Sequence, residues 1–339
     1  MHAFSSRLVV ALVLAAAPGL ACSDTSEPPI PTIDEPHPTR GAEEADAAAP
    51  LDAAAPKPGP EGGPGPDPGG LAPKIVAGYW QMYQGPKVAE ITANAPQYNL
   101  QYASFAFGGT RGSGAVAFDP VFEGATELKA DIKASKAAGS TWLLSIGGGS
   151  DNTTRLLTTA QATQMVSSLV PIIDAYGFQG VDFDLESGAS GWSVAPMKAV
   201  ATQLKAHYGK SFIISAAPRP YEDAYRDWAV AMGADLDLFG YQFYDFPETN
   251  DTAFLRSYVK MRVDQTVALG IPASKILVGC ITYSQYGLGH NTVGVYRDIF
   301  KEVEKTYPTL RGVFIWETSL DKKENWSFAK TMGTAVRGL

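Results

Sequence analysis

Gly180-Val181-Asp182-Phe183-Asp184-Leu185-Glu186 alternates strictly between apolar and acidic side chains after its opening glycine. A β-strand sends successive side chains to opposite faces. Val181, Phe183 and Leu185 therefore share one face, while Asp182, Asp184 and Glu186 share the other. Neighbouring carboxylates on that face stand roughly 6.5–7 Å apart. The apolar side asks to be covered by helices, so the acidic side must look into the centre of whatever the sheet encloses.

Working outward, Val181–Glu186 is the fourth of eight short β-favouring runs; the others are Ile75–Trp80, Tyr102–Phe107, Trp142–Ile146, Phe212–Ala216, Leu238–Tyr244, Ile276–Ile281 and Val313–Glu317. Segments of helical spacing separate them: Thr126–Ala138, Gln161–Tyr176, Ala195–Tyr208, Tyr221–Met232, Thr252–Ala268, Val293–Tyr307 and Trp326–Val336. The helix expected between Trp80 and Tyr102 is weakly written, with Pro86 and Pro96 at its edges. Glycines 139, 177, 209, 233 and 270 fall at helix ends, where positive φ is wanted. Alternating strands and helices predict parallel pairing. Eight such units predict an α/β fold, a single (β/α)8 TIM barrel. A doubly wound open sheet is the alternative, but no Gly-x-Gly-x-x-Gly turn follows the first run.

In barrels of this kind chemistry collects at the C-terminal strand ends. Three inward carboxylates are costly to bury unless protons or hydrogen bonds relieve them. A buried salt-bridge anchor is one way to account for them, yet none of the eight runs contains Lys or Arg. A Mg²⁺ or Ca²⁺ site is another, though none of the four His lies on a run. Acid–base catalysis is the third reading, and the one favoured here. No metal and no other cofactor is expected.

Composition divides the chain. Residues 23–73 hold thirteen Pro, nine Ala and seven Gly with almost no large apolar side chain, which predicts a disordered tether. Residues 74–339 form the globular part. The tether carries ten acidic and two basic residues, so the barrel has 24 Lys and Arg against 25 Asp and Glu within a whole-chain charge of −8. With no basic footprint, nucleic-acid binding is not expected; a near-neutral domain does not exclude an uncharged substrate such as a neutral polysaccharide. Residues 1–22 resemble an export signal: Arg7, the apolar run Leu8–Ala17, then Gly19 and Ala21 before Cys22. Cys22 stands where a bacterial lipoprotein signal is cut and the new terminus acylated. The expected location is an outer-membrane or cell-surface lipoprotein, or failing that a secreted protein. Membrane contact would then occur only through Cys22. After cleavage Cys280 is the barrel's one cysteine, read as a small core residue. A monomer is expected.

The row resembles the Asp-x-x-Asp-x-Asp-x-Glu signature of glycoside hydrolase family 18, the chitinases and endo-β-N-acetylglucosaminidases. Gln179 occupies its first position, where the family has Asp. Ser145-Ile146-Gly147-Gly148 resembles the family's Ser-x-Gly-Gly, and Ala77-Gly78-Tyr79-Trp80 its first strand. Tyr241-Gln242-Phe243-Tyr244-Asp245 is similar to the strand bearing the active-site tyrosine, in the Gln-x-Tyr form of plant-type and related bacterial chitinases. Trp316 matches the tryptophan that floors the central sugar site.

The resemblance implies hydrolysis of β-linked N-acetylglucosamine polymers, with a retaining mechanism in which the substrate's own acetamide attacks. It implies Glu186 as the proton donor, Asp184 as the orienting carboxylate, Asp182 sharing a proton with Asp184, and Tyr244 holding the acetamide oxygen. Gln242, Trp316, Tyr79 and Asp245 are implied at the substrate site. Ser145, Gly147 and Gly148 are expected to shape the strand end beneath the acids. Gln179 is expected to hydrogen-bond Asp182 and to shift the pH optimum. An endo-β-N-acetylglucosaminidase acting on N-glycan cores and a non-cutting surface lectin stay open as alternatives.

Overall fold

A computed structural model describes residues 70–339 apart from 111, 245–249 and 284–289. Eight parallel strands form the barrel wall: β1 (Ile75–Gln81), β2 (Leu100–Gly108), β4 (Thr141–Gly147), β5 (Gly180–Asp184), β6 (Ile213–Ala216), β7 (Leu238–Gln242), β8 (Ile276–Cys280) and β9 (Gly312–Ile315). The ring closes because β1 pairs with both of its neighbours, Ile75 opposite Gly312 and Ala77 opposite Leu100. A two-residue strand, β3 (Val116–Ala117), runs antiparallel to the end of β2. The helices are α1 (Val88–Asn94), α2 (Ala125–Ala137), α3 (Thr159–Tyr176), α4 (Val194–Tyr208), α5 (Asp223–Met232), α6 (Thr252–Ala268), α7 (Val293–Thr306), α8 (Thr318–Lys323) and α9 (Ser327–Arg337). None of the described helices is long and apolar enough to cross a membrane.

The alternation read from the sequence sorts the core into two parts. Val181, Phe183 and Leu185 join the large cluster between strands and helices, which also holds Trp80, Trp142 and Trp228. The opposite faces fill the lumen with Ile75, Ala77, Tyr79, Leu100, Tyr102, Leu143, Leu277 and Phe314. Strands apolar on both faces are what a parallel sheet covered by helices requires. The lumen is therefore a packed core, and only its upper end is available to a substrate.

Local signals position the helices. Thr158 and Gln161 form a reciprocal capping box at the start of α3, a device whose removal costs on the order of 1 kcal/mol. Gly177 ends the same helix at φ 68°, a conformation glycine adopts without steric cost. The sequence reading omitted α8 and β3, both too short to show periodicity. It also drew the fourth strand to Glu186, whereas β5 stops at Asp184 and Glu186 lies in the turn that follows. At the barrel floor Leu71 is buried in the lumen cluster, and Arg311 donates to the Ala72 carbonyl at 2.8 Å. Folded structure thus begins slightly before Lys74. The export signal, Cys22 and residues 23–69 of the tether lie outside the described residues.

Candidate active site

Asp182 and Asp184 rise inside the barrel along β5, and Glu186 continues the row at the C-terminal mouth. Both aspartates are buried, while the Glu186 side chain is 18% exposed, enough to meet a ligand. The turn that carries Glu186 is braced by Tyr225 of α5. Its hydroxyl accepts from the Leu185 amide at 2.7 Å and donates toward the Phe183 carbonyl at 3.2 Å.

Asp182 is the bottom member. Tyr79 and Ser145 donate to its Oδ2 at 2.9 and 2.7 Å, and the Ser215 hydroxyl, 3.3 Å from that of Tyr102, stands near it on β6. Burial raises the proton affinity of Asp182, and the hydroxyls of Ser145, Ser215 and Tyr79 oppose the rise. Its Oδ1 has no hydrogen-bond partner among the described residues. Asp184 sits one step higher. Gln242 donates to its Oδ1 at 2.7 Å and also to the Ala217 carbonyl at 2.8 Å, so the amide is fixed at two points. Glu186 is the next carboxyl along the row and interacts with Asp184. Burial, then the charges of Glu186, Asp182 and Glu222, push the Asp184 carboxyl well above its usual range.

Asp182 directs Oδ2 at Tyr79 and Ser145, while Asp184 has Gln242 on Oδ1 and Glu186 beside it. Gln179 departs from its expected place. It is exposed at the start of β5, and its Oε1 accepts from the Trp142 backbone amide at 3.3 Å. Seven residues separate it from Glu186, an odd number, which places it off the inward face.

The close packing beneath the row depends on two glycines of β4 and its loop. A Cβ on Gly147 would stand 2.3 Å from the Asp184 carbonyl oxygen, and one on Gly148 would meet the Phe105 ring at 2.5 Å. Both have positive φ, 109° and 88°.

Aromatic rings line the mouth. Trp316, partly buried, stacks on Phe105 with centroids 5.5 Å apart and planes 19° apart, and lies 5.6 Å from Tyr79. Tyr244 follows Gln242 by two residues on the same face; its ring is buried in the lumen cluster, 6.4 Å from Phe314. Tyr79 is buried with its hydroxyl on Asp182, so it supports the row from within. Asp245 lies outside the described residues. Among the described residues no cluster of three or more His, Cys, Asp or Glu is arranged to hold a metal ion.

Five participants escaped the sequence reading: Phe105 against Trp316, Ser215 beside Asp182, Tyr225 behind the Glu186 turn, and Arg219 with Glu222. Ser215 and Phe105 could have been found on their strands. Arg219 stands in the loop after β6, where no periodicity marks it. Its Nη2 donates to the Glu186 backbone carbonyl at 2.6 Å and to Glu222 Oε1 at 2.7 Å, and its Nη1 lies 3.8 Å from Glu186 Oε2.

A closed parallel barrel whose acidic strand rises through buried aspartates to a partly exposed glutamate, beside an aromatic platform, belongs to the α/β barrels that carry their sites at the C-terminal strand ends. Comparison with known proteins narrows the class. The chain belongs to the glycosyl hydrolases family 18, whose sequence model matches residues 75–331. It is 31% identical to chitinase Chi52 of Paenibacillus xylanexedens over 80% of its length, and spans 63% of that protein. Its fold is shared with a family 18 chitinase from Chromobacterium violaceum (TM-score 0.66, 24% identity, 78% of this chain and 84% of that one). It is also shared with a fungal family 18 endo-β-N-acetylglucosaminidase (TM-score 0.65, 20% identity, 78% and 98%).

Proposed function

We propose that the barrel hydrolyses β-1,4-linked N-acetylglucosamine polymers, chitin or its oligosaccharides, with retention and with the substrate's acetamide as nucleophile. One observation carries the reading: buried Asp184 is held by Gln242 at 2.7 Å and stands next to Glu186 at the mouth of the barrel. In the first step Glu186 gives its proton to the glycosidic oxygen as the C1–O bond breaks. The acetamide carbonyl oxygen closes on C1, forming an oxazolinium ion. Asp184 accepts from the acetamide N–H and offsets the positive charge, and Tyr244 donates to the acetamide oxygen. In the second step Glu186, now a carboxylate, takes a proton from water as that water opens the ring at C1. Trp316 carries the apolar face of the reacting sugar. Asp182, held by Tyr79 and Ser145, supplies the fixed negative charge beneath.

Chitin is favoured over an N-glycan core by the Gln242-x-Tyr244 form of the sixth barrel strand together with Trp316. The fold does not separate the two, since the fungal endo-β-N-acetylglucosaminidase has it as well. A non-cutting lectin is disfavoured by the retained Glu186. The test is product analysis by mass spectrometry on N-acetylglucosamine hexamer and on a high-mannose glycopeptide, with anomeric NMR. Cleavage of the hexamer to β-anomeric products is expected, and Glu186→Gln is expected to lower kcat by a factor on the order of 10²–10⁴. Undiminished hydrolysis by Glu186→Gln overturns the assignment.

We further propose that the barrel is exported and held at a bacterial surface by an acylated Cys22, with residues 23–69 as a spacer. Metabolic labelling with a fatty-acid analogue that is lost in Cys22→Ser is the expected result; labelling that persists excludes acylation there.

A further inference from the structure

Glu186 meets a positive charge that no strand of the barrel provides. Arg219 Nη1 lies 3.8 Å from Glu186 Oε2, an ion-pair distance beyond hydrogen-bond range. The same guanidinium donates to the Glu186 backbone carbonyl at 2.6 Å, which ties the turn bearing the acid to the loop after β6. Arg219 is itself held three ways by Glu222: Nη2 and Nε to Oε1 at 2.7 and 3.3 Å, and its backbone amide to Oε2 at 3.3 Å. The exposed Tyr221 ring lies against its outer face at 5.4 Å. The side chains of Arg219 and Glu222 are 27% and 11% exposed, so this pair is screened only in part by solvent.

The other groups around Glu186 make the cation consequential. Asp184 at the end of β5 stands beside it, with Asp182 below. From α5 the Tyr225 hydroxyl bonds to main-chain groups of Phe183 and Leu185, and from β7 Gln242 binds Asp184 without charge. From the loop after β4, Gly149 approaches so closely that a Cβ there would lie 3.3 Å from Glu186 Oε2. A negative neighbour favours a protonated carboxyl and a positive one its ionised form, so Asp184 and Arg219 act on Glu186 in opposite senses.

We propose that Arg219 is a positioning residue that fixes the turn carrying Glu186 and sets the proton affinity of its carboxyl, with Glu222 orienting Arg219 and attenuating its charge. The proposal rests on Glu186 being the general acid.

The test is the pH dependence of kcat/KM on a soluble N-acetylglucosamine oligomer, read at the alkaline limb, where a general acid loses its proton. A cation near a carboxyl favours ionisation, so Arg219→Gln is expected to move that limb upward by roughly 1 pH unit. Glu222→Gln leaves the cation less compensated and removes a negative neighbour of the row, so its limb is expected to move downward. Arg219→Lys keeps the charge and loses the bidentate grip, so its limb should stay near the wild-type position while kcat falls. Opposite shifts in the two glutamine variants, with the lysine variant near wild type, support the proposal. Limbs that superimpose in both glutamine variants overturn it. Should Arg219→Gln fold poorly, the Glu222→Gln shift decides alone. Activity retained by Glu186→Gln would instead refute the acid assignment, an outcome distinct from a limb that does not move.

Discussion

Gln242 holds Asp184 from the neighbouring side of the barrel, its amide 2.7 Å from Oδ1 and anchored in turn on the Ala217 carbonyl at 2.8 Å. The bond occupies one oxygen of Asp184 and leaves the other for Glu186 or for a substrate N–H. Replacing the amide by an apolar isostere frees Asp184 to rotate away from Glu186. Gln242→Leu is therefore expected to lower kcat by about 100-fold, the usual cost of small misplacements at a reacting centre, with little change in KM. Steady-state kinetics on a chito-oligosaccharide checks this. An unchanged kcat would mean that the clamp is idle.

The Trp316–Phe105 stack predicts a different signature. Phe105 supports the indole from below at 5.5 Å, so the face toward the mouth is held level for a sugar ring. Phe105→Leu keeps an apolar side chain but removes the flat support. KM is expected to rise about tenfold, equivalent to ~1.4 kcal/mol of binding, with kcat falling less. Trp316→Leu should exceed that loss. Equal KM values for wild type and both variants would show that neither ring bears on binding.

Gln179 yields a negative prediction. Its side chain is exposed and turned to the Trp142 amide, away from the carboxylate row. Gln179→Asp restores the family residue, yet the pH–rate profile is expected to superimpose on that of the wild type. A displaced profile would show that charge at the foot of β5 reaches the row after all.

These cases show where the sequence was readable. Period-two alternation set the inward face of β5 and, by the same rule, put Gln242 and Tyr244 on one side, Gln242 at the end of β7 and Tyr244 just beyond it. Ser145 and Ser215 obey that rule too, Ser145 hydrogen-bonded to Asp182 and Ser215 standing near it. Gln179 breaks the parity, so the family pattern misled where the strand geometry did not. Arg219 and Glu222 were unreadable for a physical reason. Arg219 reaches Glu186 from a loop whose path is set by tertiary packing, with Glu222 holding it from behind, and no spacing along the chain encodes that contact. Likewise α8 and β3 arise from closure and edge pairing rather than from propensity over a long window.

Buried Asp184 predicts that the site opposes the stability of the barrel. Its carboxyl ordinarily titrates near 3.8 and is raised well above that in the fold, chiefly by burial and then by the charge of Glu186. Below pH 3.8 the folded and unfolded chains both hold the proton, and this group makes stability independent of pH. Above it the unfolded chain releases the proton while the folded chain retains it, so stability falls with rising pH until the folded group ionises. Asn carries no such slope. Asp184→Asn is therefore expected to raise Tm relative to wild type at pH 7, by roughly 2–4 °C for each kcal/mol relieved. The gain should shrink toward nothing as the pH approaches 4, while activity is lost at both values. Calorimetry at the two pH values decides the matter. A variant less stable than wild type at pH 7 would mean that the hydrogen bonds of the Asp184 carboxylate outweigh its burial, and that the row is a support of the fold instead of a cost to it.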